Sequence, residues 1–260
     1  MQDGRVDAAV ARLARQRPGI VDAYVVVLSL DDDPVFGREA REAARVLSRR
    51  FDASGRTILL AQGEGNAVTD AAGSPNNLSR ALSGIAATMD RNEDVLILYS
   101  TSHGRPRDGL IYKVGAATPD TITSYELATM LNQLGLRNRL IILQACFSGQ
   151  FVPALASDGT IVITAAAHDR SSFGCTPGND WTFFGHAFVN QALRQPSPLL
   201  RQFFQAEKMI ARWEKKSRLP ASKPQINIGR ASRTWLQQLE ARMPTTATAP
   251  VGQAPAELSE

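Results

Sequence analysis

The runs AYVVVLSL (23–30), TILLAQG (57–63), DVLILYST (94–101), RLIILQA (139–145) and TIVITAAA (160–167) are apolar almost from end to end, not alternately apolar and polar. Such a run has to be covered on both faces if it forms a strand, which is the condition of a parallel sheet between helical layers. The intervals carry helical spacing, over 38–50, 78–89, 182–194 and 197–215, with a last helix ending near 242. Thr123-Ser124-Tyr125-Glu126 has the T-x-x-E form of a capping box and predicts a helix that runs to about 134. Either Asn77 or Ser79 can cap the helix over 78–89. GLIYKV (109–114) reads as a short strand, and PQINIG (224–229), which opens on proline, as an edge strand. Strands alternating with helices in this way are βαβ units, and the fold class is α/β with a mostly parallel central sheet.

A chain of 260 residues with 43% hydrophobic content buries a large core without cross-links. Cys146 and Cys175 are the two cysteines, neither in a CxxC pair nor in a cysteine/histidine cluster with zinc spacing, so a disulfide scaffold and a structural metal are not expected. Net charge is +4, and the basic residues are interspersed with acids and lack aromatic platforms, which argues against a nucleic-acid partner. The basic run RWEKKSR (212–218) reads as a solvated helix face. No apolar segment is long enough to span a membrane, and the N-terminus lacks a charged-then-apolar leader pattern. As written the chain is expected to be soluble; export or membrane tethering would require an upstream segment. From Met243 the composition turns to Pro, Thr, Ala and Gly without periodicity. One domain over 1–242 and a disordered tail over 243–260 are expected.

Ligands of parallel sheets bind beyond the carboxyl ends of the strands, so the chemistry should lie there. DVLILYST runs into Ser102-His103-Gly104, and RLIILQA into Cys146-Phe147-Ser148-Gly149. A thiolate is a strong nucleophile, and a histidine beside it can take its proton and deliver one to a leaving amine. Small residues beside both groups let a carbonyl oxygen approach backbone N–H donors. His168 also ends a strand and competes with His103, which is preferred for its glycine and the polar RPRDG loop that follows. The aspartates 31–33 suit a turn after a strand better than a calcium site.

LILYSTSHG, IILQACFSGQFVPAL, TAAAHDRSSFGC and NDWTFFGHAF together resemble the caspase and legumain-like superfamily of cysteine peptidases, most closely the bacterial members of the legumain family, peptidase family C13. The resemblance spans roughly residues 23–229. It implies a caspase-like three-layer αβα sandwich, a catalytic dyad of Cys146 and His103, and oxyanion donors from the backbone of Gly104 and Cys146. It also implies a substrate pocket with Arg38 and Asp180 as determinants, Ser171 or Ser172 on its wall and Gln144 beneath the nucleophile, where legumain-like enzymes usually carry Glu. No metal or organic cofactor is implied. The position of the family's histidine-orienting Asn falls on Phe36, so a third catalytic member is not implied.

The function expected is cleavage of a peptide or protein substrate through an acyl-enzyme, after Asn and secondarily after Asp. A transpeptidase or ligase shares that intermediate, and a catalytically silent binding module is the non-enzymatic alternative. No nucleotide-binding glycine motif follows a strand.

Overall fold

The protein is described here from a computed structural model covering residues 2–61 and 71–255. Helix α1 (Gln2–Ala11) precedes strand β1 (Ala23–Ser29), helix α2 (Pro34–Arg50) and strand β2 (Thr57–Leu60). Helix α3 (Pro75–Thr88) leads to β3 (Val95–Thr101), three short strands β4 (Gly104–Arg105), β5 (Gly109–Tyr112) and β6 (Asp120–Ile122), and α4 (Ser124–Gln133). Then come β7 (Arg139–Gln144), the short helix α5 (Val152–Leu155), β8 (Thr160–Thr164), α6 (Leu199–Lys216), β9 (Gln225–Ile228) and α7 (Ser232–Ala241).

The central sheet has the order β2-β1-β3-β7-β8-β9, parallel except for β9, which runs antiparallel at the edge. Every residue of β1, β3, β7 and β8 is buried, which explains their unbroken apolar sequences. The period of two sorts alternate side chains into two cores. Val25, Val27, Ile97 and Ile142 join α2, α6 and α7, whereas Tyr24, Val26, Leu98 and Ile141 join α3 and α4. The result is the αβα sandwich. Among the described residues no helix is long and apolar enough to cross a membrane.

Some local expectations shift. Ser74, not Asn77 or Ser79, caps α3: its hydroxyl accepts the Asn77 N–H at 3.2 Å, and Pro75 occupies the first turn, where its missing N–H has no cost. Asn77 instead turns its amide inward to the Ala72 carbonyl, 2.9 Å away. The Thr123 capping box forms as expected, with Glu126 reaching back to the Thr123 N–H at 2.8 Å. The helix expected over 182–194 is wound as a π-helix over Gly185–Gln191 and a 3-10 turn over Ala192–Arg194. Gln62 and Gly63, the end of the expected second strand, lie outside the described residues.

Helix α1 carries only a weak amphipathic pattern and is not anticipated from sequence. It is held by Val6 and by Val10, whose methyl groups lie where a Cβ on Gly84 of α3 would fall. The small sheet β4-β5-β6 is antiparallel and stands directly after His103.

Residues 243–255 form no helix or strand, in keeping with their composition, yet make specific bonds to the domain. Trp181 Nε1–H and Asn190 Nδ2–H both donate to the Val251 carbonyl at 2.9 Å, the Val251 N–H returns a bond to Asn190 Oδ1, and the Gln253 N–H donates to Asp180 Oδ2 at 2.8 Å.

Candidate active site

In sequence β1 is followed by β2 on one side, but its other neighbour is β3, so the direction in which strands are added reverses at β1. The loops leaving β1 and β3 therefore diverge and open a crevice at their carboxyl ends. Asp31 to Asp33 leave β1 at that point, His103 leaves β3, and Cys146 leaves β7, the next strand along.

The registers Ser29↔Thr101 and Thr101↔Gln144 align the three strand ends. Beyond them, the Ser102 N–H donates to the Gln144 carbonyl at 3.1 Å. Gly104 then comes so close to the turn at Cys146 that a Cβ on it would sit 1.9 Å from the Cys146 carbonyl oxygen. No other residue fits there without displacing one of the two segments, which gives the glycine of the S-H-G sequence its physical reason.

The turn after Cys146 is strained and tightly held. Phe147 adopts φ +58, the left-handed region that costs a side-chain-bearing residue about 1–2 kcal/mol. Its N–H donates to the Arg170 carbonyl at 2.7 Å, the Gly149 N–H to Ala166 at 2.9 Å, and Ala166 N–H to Ser148 Oγ at 3.2 Å. A Cβ at Gly149 would lie 2.6 Å from the His168 backbone nitrogen, so the turn closes directly on the chain leaving β8. The half-buried Cys146 sulfur accepts the Ser172 N–H at 3.3 Å and stands 3.4 Å from the Ser172 carbonyl oxygen.

His103 is clasped from the start of α2. Its Nε2 lies 2.9 Å from Asp33 Oδ2, and the Phe36 ring meets the imidazole edge-on, with centroids 4.9 Å apart at 89°. The Ile111 N–H holds the His103 carbonyl at 2.9 Å. Asp31 accepts the Asp33 N–H at 3.1 Å; burial pushes its carboxyl above the ordinary range, opposed by that bond and by the nearby histidine. One atom each from Asp31, Asp33 and His103 falls within 4.8 Å of the others. These contacts account for the cluster as a carboxylate-held histidine. His168, the competing histidine, is exposed.

The expected pocket residues are arranged around α2 and the loop before the π-helix. Arg38 points its guanidinium at the Asn179 carbonyl (Nη2 at 2.6 Å), the Pro177 carbonyl and Asp180, whose Oδ1 is 3.3 Å from Nε. Arg38 and Asp180 thus meet as an ion pair, and the second Asp180 oxygen takes the Gln253 N–H. Ser172 is buried with its backbone on the Cys146 sulfur; Ser171 is exposed. Gln144 is fully buried, accepts a 3.4 Å bond from Thr101 Oγ1, and has no partner for Nε2 among the described residues.

Two further residues hold the site, and sequence reasoning passed over both. Asp33 reads from sequence only as a turn residue. Glu39, one position after Arg38, is wholly buried and accepts bonds from the Tyr99 hydroxyl at 2.6 Å and from Thr182 N–H and Oγ1 at 2.9 and 2.8 Å. It ties the pocket loop to α2 and β3, and burial pushes its carboxyl upward against those hydrogen bonds. Like Glu42, it looks solvent-facing in the Arg38-to-Arg50 helix pattern until β3 and the Thr182 loop close over it.

No curated protein matches the chain. Among solved structures, the crystal structure of caspase-1 from Spodoptera frugiperda is similar in fold, with a TM-score of 0.52 and 11% identity over 84% of this chain and 92% of that one. A structure of pro-sf-caspase-1 matches with a TM-score of 0.46 at 12% identity, over 82% and 93% of the two chains. The sequence model of the Peptidase C13 family matches residues 68–232, more than half of the chain and the whole span from His103 to Cys146; the chain belongs to the Peptidase C13 family.

Proposed function

We propose that the protein is a cysteine endopeptidase in which Cys146 is the nucleophile and His103 its acid/base partner, cleaving after Asn and, less readily, after Asp. The observation that carries this reading is the emergence of the two side chains from neighbouring parallel strands at one sheet edge, with their turns in backbone contact at Gly104 and Cys146.

In the proposed sequence the Cys146 thiol gives its proton to His103 and the sulfur attacks the substrate carbonyl carbon, placing negative charge on the oxygen. The backbone N–H groups of Gly104 and Cys146 are the assigned donors to that oxyanion. His103 passes the proton to the amine as the C–N bond breaks, leaving a thioester. Water then attacks the thioester while His103 takes its proton, the C–S bond breaks, and the sulfur recovers the proton.

An Asn side chain needs both a donor and an acceptor from its pocket. The Arg38–Asp180 pair presents both chemistries in one unit, and the buried Gln144 amide, with Nε2 unpartnered, adds a donor below the nucleophile. The Asp180 carboxylate disfavours an ionised Asp at neutral pH.

Peptidyl acyloxymethyl ketones carrying Asn, Asp or Arg next to the warhead test the whole reading. Mass spectrometry should find the label on Cys146, fastest for Asn, and His103→Ala should slow it by about 10²-fold or more. Labelling of Cys175 instead, an Arg preference, or undiminished rates in His103→Ala would overturn it.

A further inference from the structure

Asp33 occupies the N-cap position of α2, where an aspartate ordinarily accepts an N–H from the first helical turn. Here its side chain makes no such bond, and Pro34 at the next position has no N–H to offer. The carboxylate is directed out of the helix onto His103 Nε2, 2.9 Å away. Its own backbone N–H is fastened by Asp31 Oδ1, so the loop that presents it is fixed on the strand-end side as well.

We infer that Asp33 is a positioning residue for the reaction: it holds the His103 ring and fixes its proton on Nε2, so that Nδ1 is the nitrogen that exchanges protons with Cys146 and the leaving amine. This rests on the assignment of His103 as acid/base. An ionised carboxylate only accepts hydrogen bonds, so the nitrogen facing it must carry hydrogen, and in the neutral ring the other nitrogen is then a lone pair. The Phe36 ring stands edge-on to the imidazole, with centroids 4.9 Å apart. Phe36 occupies the place where the family resemblance sets an orienting polar side chain. In this chain the polar contact comes three residues earlier, and Phe36 supplies an apolar wall.

Among the described residues the charged groups around the ring are few. Asp33 touches it, and Asp31 stands behind Asp33. Asp32 faces away to Lys113 Nζ at 3.0 Å. The side chains of His103 and Asp33 are 37% and 36% exposed, so solvent screens the pair. The effect of removing the charge should therefore fall well below the loss of about 10⁴ seen when a buried triad aspartate becomes asparagine.

The test is Asp33→Asn and Asp33→Glu in the full chain, with Asp32→Asn as control and His103→Ala alongside. Asp33→Asn should lower kcat about 10- to 100-fold with KM within about twofold, Asp33→Glu should recover part of that loss, and Asp32→Asn should match the parent. Nitrogen-15 histidine spectra should show the Nε2–H tautomer in the parent and a shifted tautomer balance in Asp33→Asn, a change that a merely structural role would not produce. Because the side chain makes no capping bond, the melting temperature should hold within a few degrees. If His103→Ala abolishes turnover while Asp33→Asn keeps full kcat, this inference fails and the dyad stands. If His103→Ala retains turnover, the dyad fails first. A rise in KM alone, or an unchanged tautomer, would make Asp33 a substrate contact or a loop residue and would also overturn it. Should Asp33→Asn fold poorly, Asp33→Glu and the parent spectrum decide: an Nδ1–H parent tautomer refutes the inference.

Discussion

Replacing Gly104 with alanine puts a methyl group in place of a hydrogen where the His103 and Cys146 turns touch. The new Cβ would stand 1.9 Å from the Cys146 carbonyl oxygen, 2.9 Å from its carbon and 3.2 Å from the Ala145 Cβ. Two of the three obstacles are backbone atoms, so no rotamer relieves the clash, and reaching an ordinary contact needs a relative shift of about 1 Å between the segments. Ser102 is pinned to the Gln144 carbonyl and Phe147 to the Arg170 carbonyl, so the shift has to be taken up in the stretch that carries His103 and Cys146. A misplacement of about 1 Å is worth roughly 10²-fold in rate, or about 2.7 kcal/mol of transition-state stabilisation. The overpacking itself should cost about 1–3 kcal/mol of stability, a few degrees in melting temperature, which leaves the fold intact. Steady-state kinetics on the parent's best peptide, with thermal denaturation of the same samples, should show kcat/KM lowered about 100-fold in a folded Gly104→Ala variant. Gly178→Ala, whose Cβ would meet nothing within 4 Å, is the matched control. Parental kcat/KM in Gly104→Ala would refute the claim that this backbone approach sets the dyad geometry.

His186 is buried against Trp213, and that burial lowers its pKa to about 4. The unfolded chain takes up the proton first, so stability should fall as pH drops from about 6.5 towards 4, by up to about 1.4 kcal/mol per unit; urea midpoints should show a shallower dependence in His186→Gln, and equal slopes would refute the assignment. Truncation after Pro250 removes the Val251 and Gln253 bonds to Trp181, Asn190 and Asp180, and should lower stability by about 1–3 kcal/mol, or roughly 5 °C in melting temperature. An unchanged melting curve would show that the segment contributes nothing to the domain.

The sequence by itself determined the layering and the sheet edge at which His103 and Cys146 emerge. Runs such as AYVVVLS and RLIILQ are apolar at every position because they are covered on both faces, and that pattern survives in one dimension. His103 and Cys146 could be singled out for the same reason, since each stands at the point where such a run stops. What the sequence could not carry is contact between segments that lie far apart along it. Asp33 reads as a turn residue until β3 pairs with β1 and brings His103 within 2.9 Å, and Glu39 reads as a solvated helix acid until the Thr182 loop folds back onto it. The segment 243–255 lacks helix or strand periodicity, and much of its hold on the domain comes from backbone groups, which are the same in every residue. Its partners, Trp181, Asn190 and Asp180, exist as a surface only once the π-helix has packed. Strand burial and turn chemistry are local and periodic, so they are written along the chain; the partner of a buried or half-buried charge is a property of the topology, and only the tertiary structure decides it.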